Sequence, residues 1–135
     1  MEALYLDTSA AVKLFKQEPE SAALDQWLAS HGSALVLTSD LTRCELRRAL
    51  EAAGAGPGAQ REAEDWLADC ALIRLTRDLC DRAGTLAPRA RLRSLDAVHT
   101  VAALSLGRAL AAFVAYDQRL IAAARQVSLP VSSPA

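Results

Sequence analysis

Four carboxylates stand where local structure would gather them. Asp7 directly follows the apolar run Ala3–Leu6, and Asp117 directly follows Ala111–Tyr116. If both runs are neighbouring parallel strands, their carboxylates emerge at one edge of the sheet, where such folds bind ligands. Asp96 lies in the first turn of a segment, Ser94 to Leu106, that is apolar almost all round. A helix there is largely buried, and its N-terminus favours an anion. Glu45 lies on the shoulder of the stripe Leu46, Ala49, Leu50 and Ala53, roughly 90–100° from its centre. Each acid also has an ordinary reading. An Asp between strand and helix is commonly an N-cap, and a shoulder Glu is commonly a solvated partner of a residue such as Arg48.

Convergence of all four changes the chemistry. Four negative charges in one pocket repel, and a hard divalent cation relieves them. All-oxygen ligands favour Mg²⁺, with Mn²⁺ as alternative, over Zn²⁺. The only histidines are His31 and His99, and the three cysteines make no zinc-ligand spacing. His99 shares a helical row with Asp96 and Ala103, and we read it as a hydrogen-bonded core histidine rather than a ligand. Such a site suits phosphoryl transfer to water, with a metal activating the water and a carboxylate orienting it.

The elements that must position these residues follow from pattern. Strands are predicted at Ala3–Leu6, Ala34–Leu37, Ala71–Leu75 and Ala111–Tyr116, with Ser128–Val131 adding a short edge strand. Helices are predicted from the Asp7-Thr8-Ser9 cap to Gln17, from Glu20 to about His31, and from the Thr38-Ser39-Asp40 cap to Ala53. Further helices are expected over Ala59–Cys70, Asp78–Ala87 (ended by Pro88), Ser94–Leu106 with Ser94 as cap, and Asp117–Gln126. Alternating strands and helices imply an α/β fold with a short parallel sheet covered on both faces. The glycine-rich stretch Gly54–Gly58 lacks the Lys-Ser/Thr of a phosphate-binding loop.

Composition agrees. The 135 residues suit one domain, and 52% are hydrophobic against 23% charged, which excludes a disordered chain. Ala (29) and Leu (22) dwarf Val (7) and Ile (2), which favours many helices and little sheet. The net charge of -1 excludes a broadly basic nucleic-acid coat, though not a local patch. Three cysteines without a disulfide framework, no signal peptide and no apolar run long enough for a membrane point to a cytoplasmic protein.

Four stretches in register carry a family resemblance. They are Leu6-Asp7-Thr8-Ser9-Ala10 with Glu18-Pro19-Glu20, Thr42-Arg43-Cys44-Glu45-Leu46, Arg93-Ser94-Leu95-Asp96-Ala97-Val98-His99, and Tyr116-Asp117-Gln118-Arg119-Leu120. Across its whole length, residues 1–135, the chain resembles a PIN domain, and more narrowly the VapC toxins of type II toxin–antitoxin modules. The resemblance implies a three-layer α/β/α sandwich and a ribonuclease holding one or two Mg²⁺ or Mn²⁺ ions. It implies Asp7, Glu45, Asp96 and Asp117 as the catalytic, metal-binding quartet, and Thr8 and Ser9 as supporting hydroxyls. A homodimer and a VapB-type antitoxin are implied partners. The family often has Thr or Ser two residues before the last acid, where this chain has Ala115. Arg43, Arg47, Arg91 and Arg93 flank the acids in sequence and are candidate RNA contacts.

Three other readings compete. A receiver domain needs a lysine near its last strands, and Lys13 and Lys16 are the only lysines. A haloacid-dehalogenase-type phosphatase needs a second Asp where Ser9 stands. A catalytically weak or inactive PIN-like binding module is the alternative that the Ala115 departure keeps open.

Overall fold

The computed structural model describes residues 1–86 and 92–135. Five strands form one parallel sheet: β1 (Ala3–Leu6), β2 (Leu35–Ser39), β3 (Ala71–Ile73), β4 (Leu110–Val114) and β5 (Val131–Ser132). Their order is β3-β2-β1-β4-β5. The chain runs outward from β1 through β2 to β3, then returns to β4 on the other side of β1. Such a reversal opens a crevice at the strands' carboxyl ends, here between β1 and β4.

Alternation along the two central strands builds the layers. Leu4 and Leu6 of β1 and Ala112 and Val114 of β4 pack with Leu24 and Ala10 on one face. Helices α1 (Thr8–Val12), α2 (Ser21–Ser30), α3 (Asp40–Ala52) and α4 (Pro57–Asp69) cover this side, with Leu46, Leu50, Ala63 and Leu67 forming an adjoining cluster around Ala11. Tyr5, Phe113 and Ala115 point the other way, onto α5 (Arg77–Thr85), α6 (Ser94–Leu104) and α7 (Gln118–Gln126) through Leu79, Val101, Leu120 and Ile121. The Tyr5 and Phe113 rings stack at 5.5 Å, a contact worth about 0.5–1.5 kcal/mol beyond burial. The expected α/β/α sandwich is thus present.

Several boundaries differ from the sequence expectation. Helix α1 stops at Val12, not Gln17, because Lys13, Leu14 and Phe15 donate to carbonyls three residues back. The Ser21 hydroxyl then holds the Lys13 and Lys16 carbonyls at 2.8 and 3.2 Å, turning the chain before Pro19. Ser94 is not the cap of α6; Arg93 holds that position, without a side-chain cap bond. Thr38 and Ser39 end β2 rather than capping α3 through their hydroxyls. Thr38 instead donates to the Leu6 carbonyl at 2.7 Å, tying β2 to β1 beside the crevice. Helix α4 begins two residues early, at Pro57, whose missing N–H is harmless in a first turn. Helix α5 is capped by Thr76, which accepts from the Leu79 amide. Gly107, at a φ of 55°, takes the left-handed turn that leads from α6 into β4. The expected stop at Pro88 lies outside the described residues. Among the described residues no helix is long and apolar enough to cross a membrane, and the three cysteines are unpaired.

Candidate active site

The crevice contains a cavity of about 260 Å³ lined by Asp7, Thr8, Ser9, Glu45, Arg93, Ser94, Leu95, Asp96, His99, Asp117 and Leu120. All four acids singled out from the sequence meet there, from four separate segments. Thr8 and Ser9 come with them.

Asp7 ends β1 and is almost wholly buried, with its residue 2% exposed. The ordinary reading of Asp7 as a cap is correct: its Oδ1 accepts from the Ala10 amide at 2.9 Å. The Ser9 hydroxyl lies 2.7 and 2.9 Å from the two carboxylate oxygens, and accepts from the Tyr116 amide beyond β4. Ser9 therefore fixes Asp7 against the neighbouring strand. Burial pushes the Asp7 carboxyl up to about 6, and the Asp117 charge adds to this. The His99 charge and the bonds from Ala10 and Ser9 only partly oppose it.

Glu45 is held from two sides. Thr8 Oγ1 donates to its Oε1 at 2.6 Å, and His99 Nε2 lies 2.7 Å from the same oxygen. Burial raises the Glu45 carboxyl, but hydrogen bonds from His99 and Thr8 and the attraction of the imidazole lower it overall. With Glu45 ionised, Nε2 carries a proton and donates. Nδ1 of His99 lies 2.8 Å from the Tyr5 hydroxyl, which burial keeps protonated far above neutral pH. In the neutral ring Nδ1 accepts that proton donor. The sequence placed Asp96 and His99 in one row but missed the Tyr5–His99–Glu45 chain, because its members come from β1, α6 and α3. Arg48 is not the partner of Glu45.

Asp96 and Asp117 form the mouth. Asp117 divides its oxygens: Oδ1 caps α7 by accepting from the Arg119 and Leu120 amides, and Oδ2 faces Arg93 at 3.4 Å. Asp96 Oδ2 lies 3.3 Å from Arg93 Nε. Ala115 brings no side-chain hydroxyl to the site. That side chain is fully buried against Tyr5 and Phe113, and its carbonyl accepts from Ser133 Oγ at 2.6 Å.

Of the candidate RNA-contacting arginines, Arg93 alone among the described residues lines this cavity. Arg43 and Arg47 line a larger one, about 440 Å³, between α3 and α4, where Arg47 pairs with Glu64. Two residues along a helix turn a side chain by about 200°, so neighbours of Glu45 in sequence point away from it. Arg91 lies outside the described residues.

As the side chains stand, no three His, Cys, Asp or Glu among the described residues form a ready metal cluster. Glu45 is turned to His99 and Thr8, and the outer pair to Arg93. The donor chemistry nevertheless fits a hard cation: oxygens predominate, Asp7 is a buried carboxylate short of positive charge, and a guanidinium already stands between Asp96 and Asp117.

A parallel sheet, a strand-order reversal and four acids converging on it define a class, and comparison with known proteins gives that class its name. The PIN domain matches residues 4–126, and the chain belongs to that family, within its VapC-type ribonucleases. Ribonuclease VapC47 of Mycobacterium tuberculosis is 40% identical over 133 residues, covering 97% of this chain and 96% of that one. Two solved structures share the fold. The M. tuberculosis VapC20 toxin, described as cleaving the sarcin–ricin loop, superposes with a TM-score of 0.77 at 18% identity, covering 97% of this chain and 99% of its own. Rickettsia felis VapBC2, bound to a promoter DNA fragment, gives 0.76 at 14% identity, covering 98% and 99%.

Proposed function

We propose that this chain is the toxin of a VapBC pair, an endoribonuclease that hydrolyses RNA phosphodiester bonds and leaves 5′-phosphate ends. The observation that carries this reading is the meeting of Asp7, Glu45, Asp96 and Asp117 in one cavity at the sheet's switch point. These four residues would hold one or two Mg²⁺ ions, or Mn²⁺ in their place. Bound there, the metal supplies acidified water and charge neutralisation for the leaving oxygen.

The chain's own residues do the positioning. Ser9 and the Ala10 amide fix the Asp7 carboxylate. Thr8 and His99 converge on one oxygen of Glu45, which leaves its second oxygen for an ion or a water. Burial of Asp7 limits bulk water at the cavity floor, which strengthens every charge interaction there. Arg93, more than half exposed at the mouth, is placed to meet a substrate phosphate.

Kinship with VapC47 and the fold shared with a VapBC2 complex support a VapB-type antitoxin as partner, and an RNA substrate would place the action in the cytoplasm. The half-exposed Leu95 beside the cavity and the nearby Leu41 and Ala49 suit burial against a second copy, in a homodimer.

The deciding experiment is cleavage of total RNA by the purified protein, with Mg²⁺ and with EDTA, for wild type, Asp7→Asn and Asp96→Asn. Cleavage that needs Mg²⁺, yields ligatable 5′-phosphates and disappears in both variants is expected. Cleavage that persists in EDTA or in both variants would sink the mechanism, and no cleavage under any condition would favour a binding module.

A further inference from the structure

The mouth of the acidic cavity already holds a cation that belongs to the chain. Arg93, the residue before α6, places Nε 3.3 Å from Asp96 Oδ2 and a terminal guanidinium nitrogen 3.4 Å from Asp117 Oδ2. One planar fork thus spans two carboxylates delivered by different elements, a geometry that a guanidinium suits and an ammonium does not. When the guanidinium leaves these oxygens, another cation can take its place.

Two features make exchange easy. The Arg93 side chain is 57% exposed, against 12% for Asp96 and 38% for Asp117. Both contacts are also long for charge-assisted bonds, and ion pairs of that exposed kind are weak. The inner acids differ: Asp7 and Glu45 are held by Ser9, Thr8, His99 and a backbone amide, donors locked in place by packing. Only the outer pair is neutralised by a group that can swing into solvent.

We propose that Arg93 is an exchangeable stand-in for the metal. It neutralises Asp96 and Asp117 until the ion arrives, and ion binding then frees its guanidinium at the cavity mouth for a substrate phosphate. This inference rests on the metal-dependent reading above and adds a coupling: ion and phosphodiester binding assist each other through one side chain. Linkage is reciprocal, so removing the arginine tightens the ion and weakens the phosphate contact.

The test uses metal alone. Mn²⁺ is titrated calorimetrically into wild type, Arg93→Ala and Arg93→Met, with folding followed by circular dichroism and Asp7→Asn as the site control. The Met variant keeps the apolar stem and guards against local collapse. Both Arg93 variants are expected to bind Mn²⁺ about five-fold tighter or more. In a parallel titration with Mg²⁺, the Nε–H nuclear magnetic resonance signal of Arg93 is expected to move to that of a free, solvent-exchanging side chain. Equal or weaker Mn²⁺ binding in both variants, or an Arg93 signal indifferent to saturating Mg²⁺, overturns the exchange. If Asp7→Asn abolishes Mn²⁺ binding while the Arg93 variants leave it unchanged, this inference fails and the metal-dependent reading stands. If wild type binds no ion, both fail.

Discussion

Asp7 and Asp117 hold matching places: each follows a central strand, and each caps the helix that comes next. Their surroundings differ in every other respect. Asp7 lies at the cavity floor with its carboxyl pushed up to about 6 by burial, fixed by Ser9 and linked through it to β4. Asp117 lies at the rim, one oxygen spent on capping and the other on a solvated arginine. The floor is built by donors that packing holds still, and the rim by a charge that can leave. A site that admits an ion and a polyanion, as proposed for this one, needs both: a fixed wall to set geometry and a yielding one for entry.

The largest expected effect tests the floor. Asp7→Asn should lower RNA cleavage at least about 100-fold, beyond the roughly 10–100-fold typical when only a supporting partner is lost. Asp117→Asn should cost less, because its cap survives in the amide oxygen. Initial rates on a short fluorogenic RNA at saturating Mg²⁺ check the order, and a smaller loss for Asp7→Asn than for Asp117→Asn would reverse the comparison.

The same substitution should act oppositely on stability. The Asp7 pKa is about 6 in the folded, metal-free protein against an ordinary 3.8, so the folded state holds the proton more tightly. The associated stability is complete below about pH 4 and is lost as pH rises through 6. Above that pH the buried carboxylate costs about 2–3 kcal/mol. In EDTA at pH 8, Asp7→Asn should therefore be more stable than wild type, and its urea midpoint should lack the wild-type fall between pH 4 and 7. A variant that is less stable at pH 8 and keeps that slope would show that Asp7 is not the strained group. Stability given up for a charged floor is the expected pattern of a working site.

Much of this was legible in the sequence and some was not, for physical reasons. The meeting of Asp7 and Asp117 in one cavity is legible because strand ends in a parallel sheet define an edge whatever the packing. That Asp96 and His99 face one cavity is legible because about 100° per residue puts them in one row. The placement of Arg43 and Arg47 is not legible, since nearness to Glu45 in sequence is not nearness in space when the helix turns them toward the groove between α3 and α4. The early end of α1 was invisible because it depends on Ser21, eight residues after the carbonyl of Lys13 that it holds. The contact between His99 and Glu45 spans 54 positions, and no local pattern reports a partner at that distance.

That contact gives the next effect in size. His99→Ala removes the donor from Glu45 and leaves the Tyr5 hydroxyl buried without its partner, so cleavage should fall about 10–100-fold and stability by about 1–3 kcal/mol. His99→Asn, or His99→Gln with its longer reach, restores a neutral donor and should recover part of the rate. Equal rates for all three variants and wild type would mean that Glu45 needs no fixing.

The smallest effect separates two arginines that the sequence treated alike. Arg47 stands on the far side of α3, exposed and paired with Glu64, an arrangement worth about 0–1 kcal/mol. Arg93 stands between two acids of the cavity. Arg47→Ala should leave cleavage of a short RNA within about two-fold of wild type, because a strand threaded past Asp7 and Glu45 meets the opposite face of the helix. Arg93→Ala should raise the KM for the same RNA, by loss of one phosphate contact, and flatten its salt dependence by about one charge. Measuring KM for both variants at two ionic strengths discriminates the cases. A rise for Arg47→Ala equal to that for Arg93→Ala would move the RNA path onto the groove between α3 and α4, and the division between a fixed floor and a yielding rim would no longer describe how substrate enters.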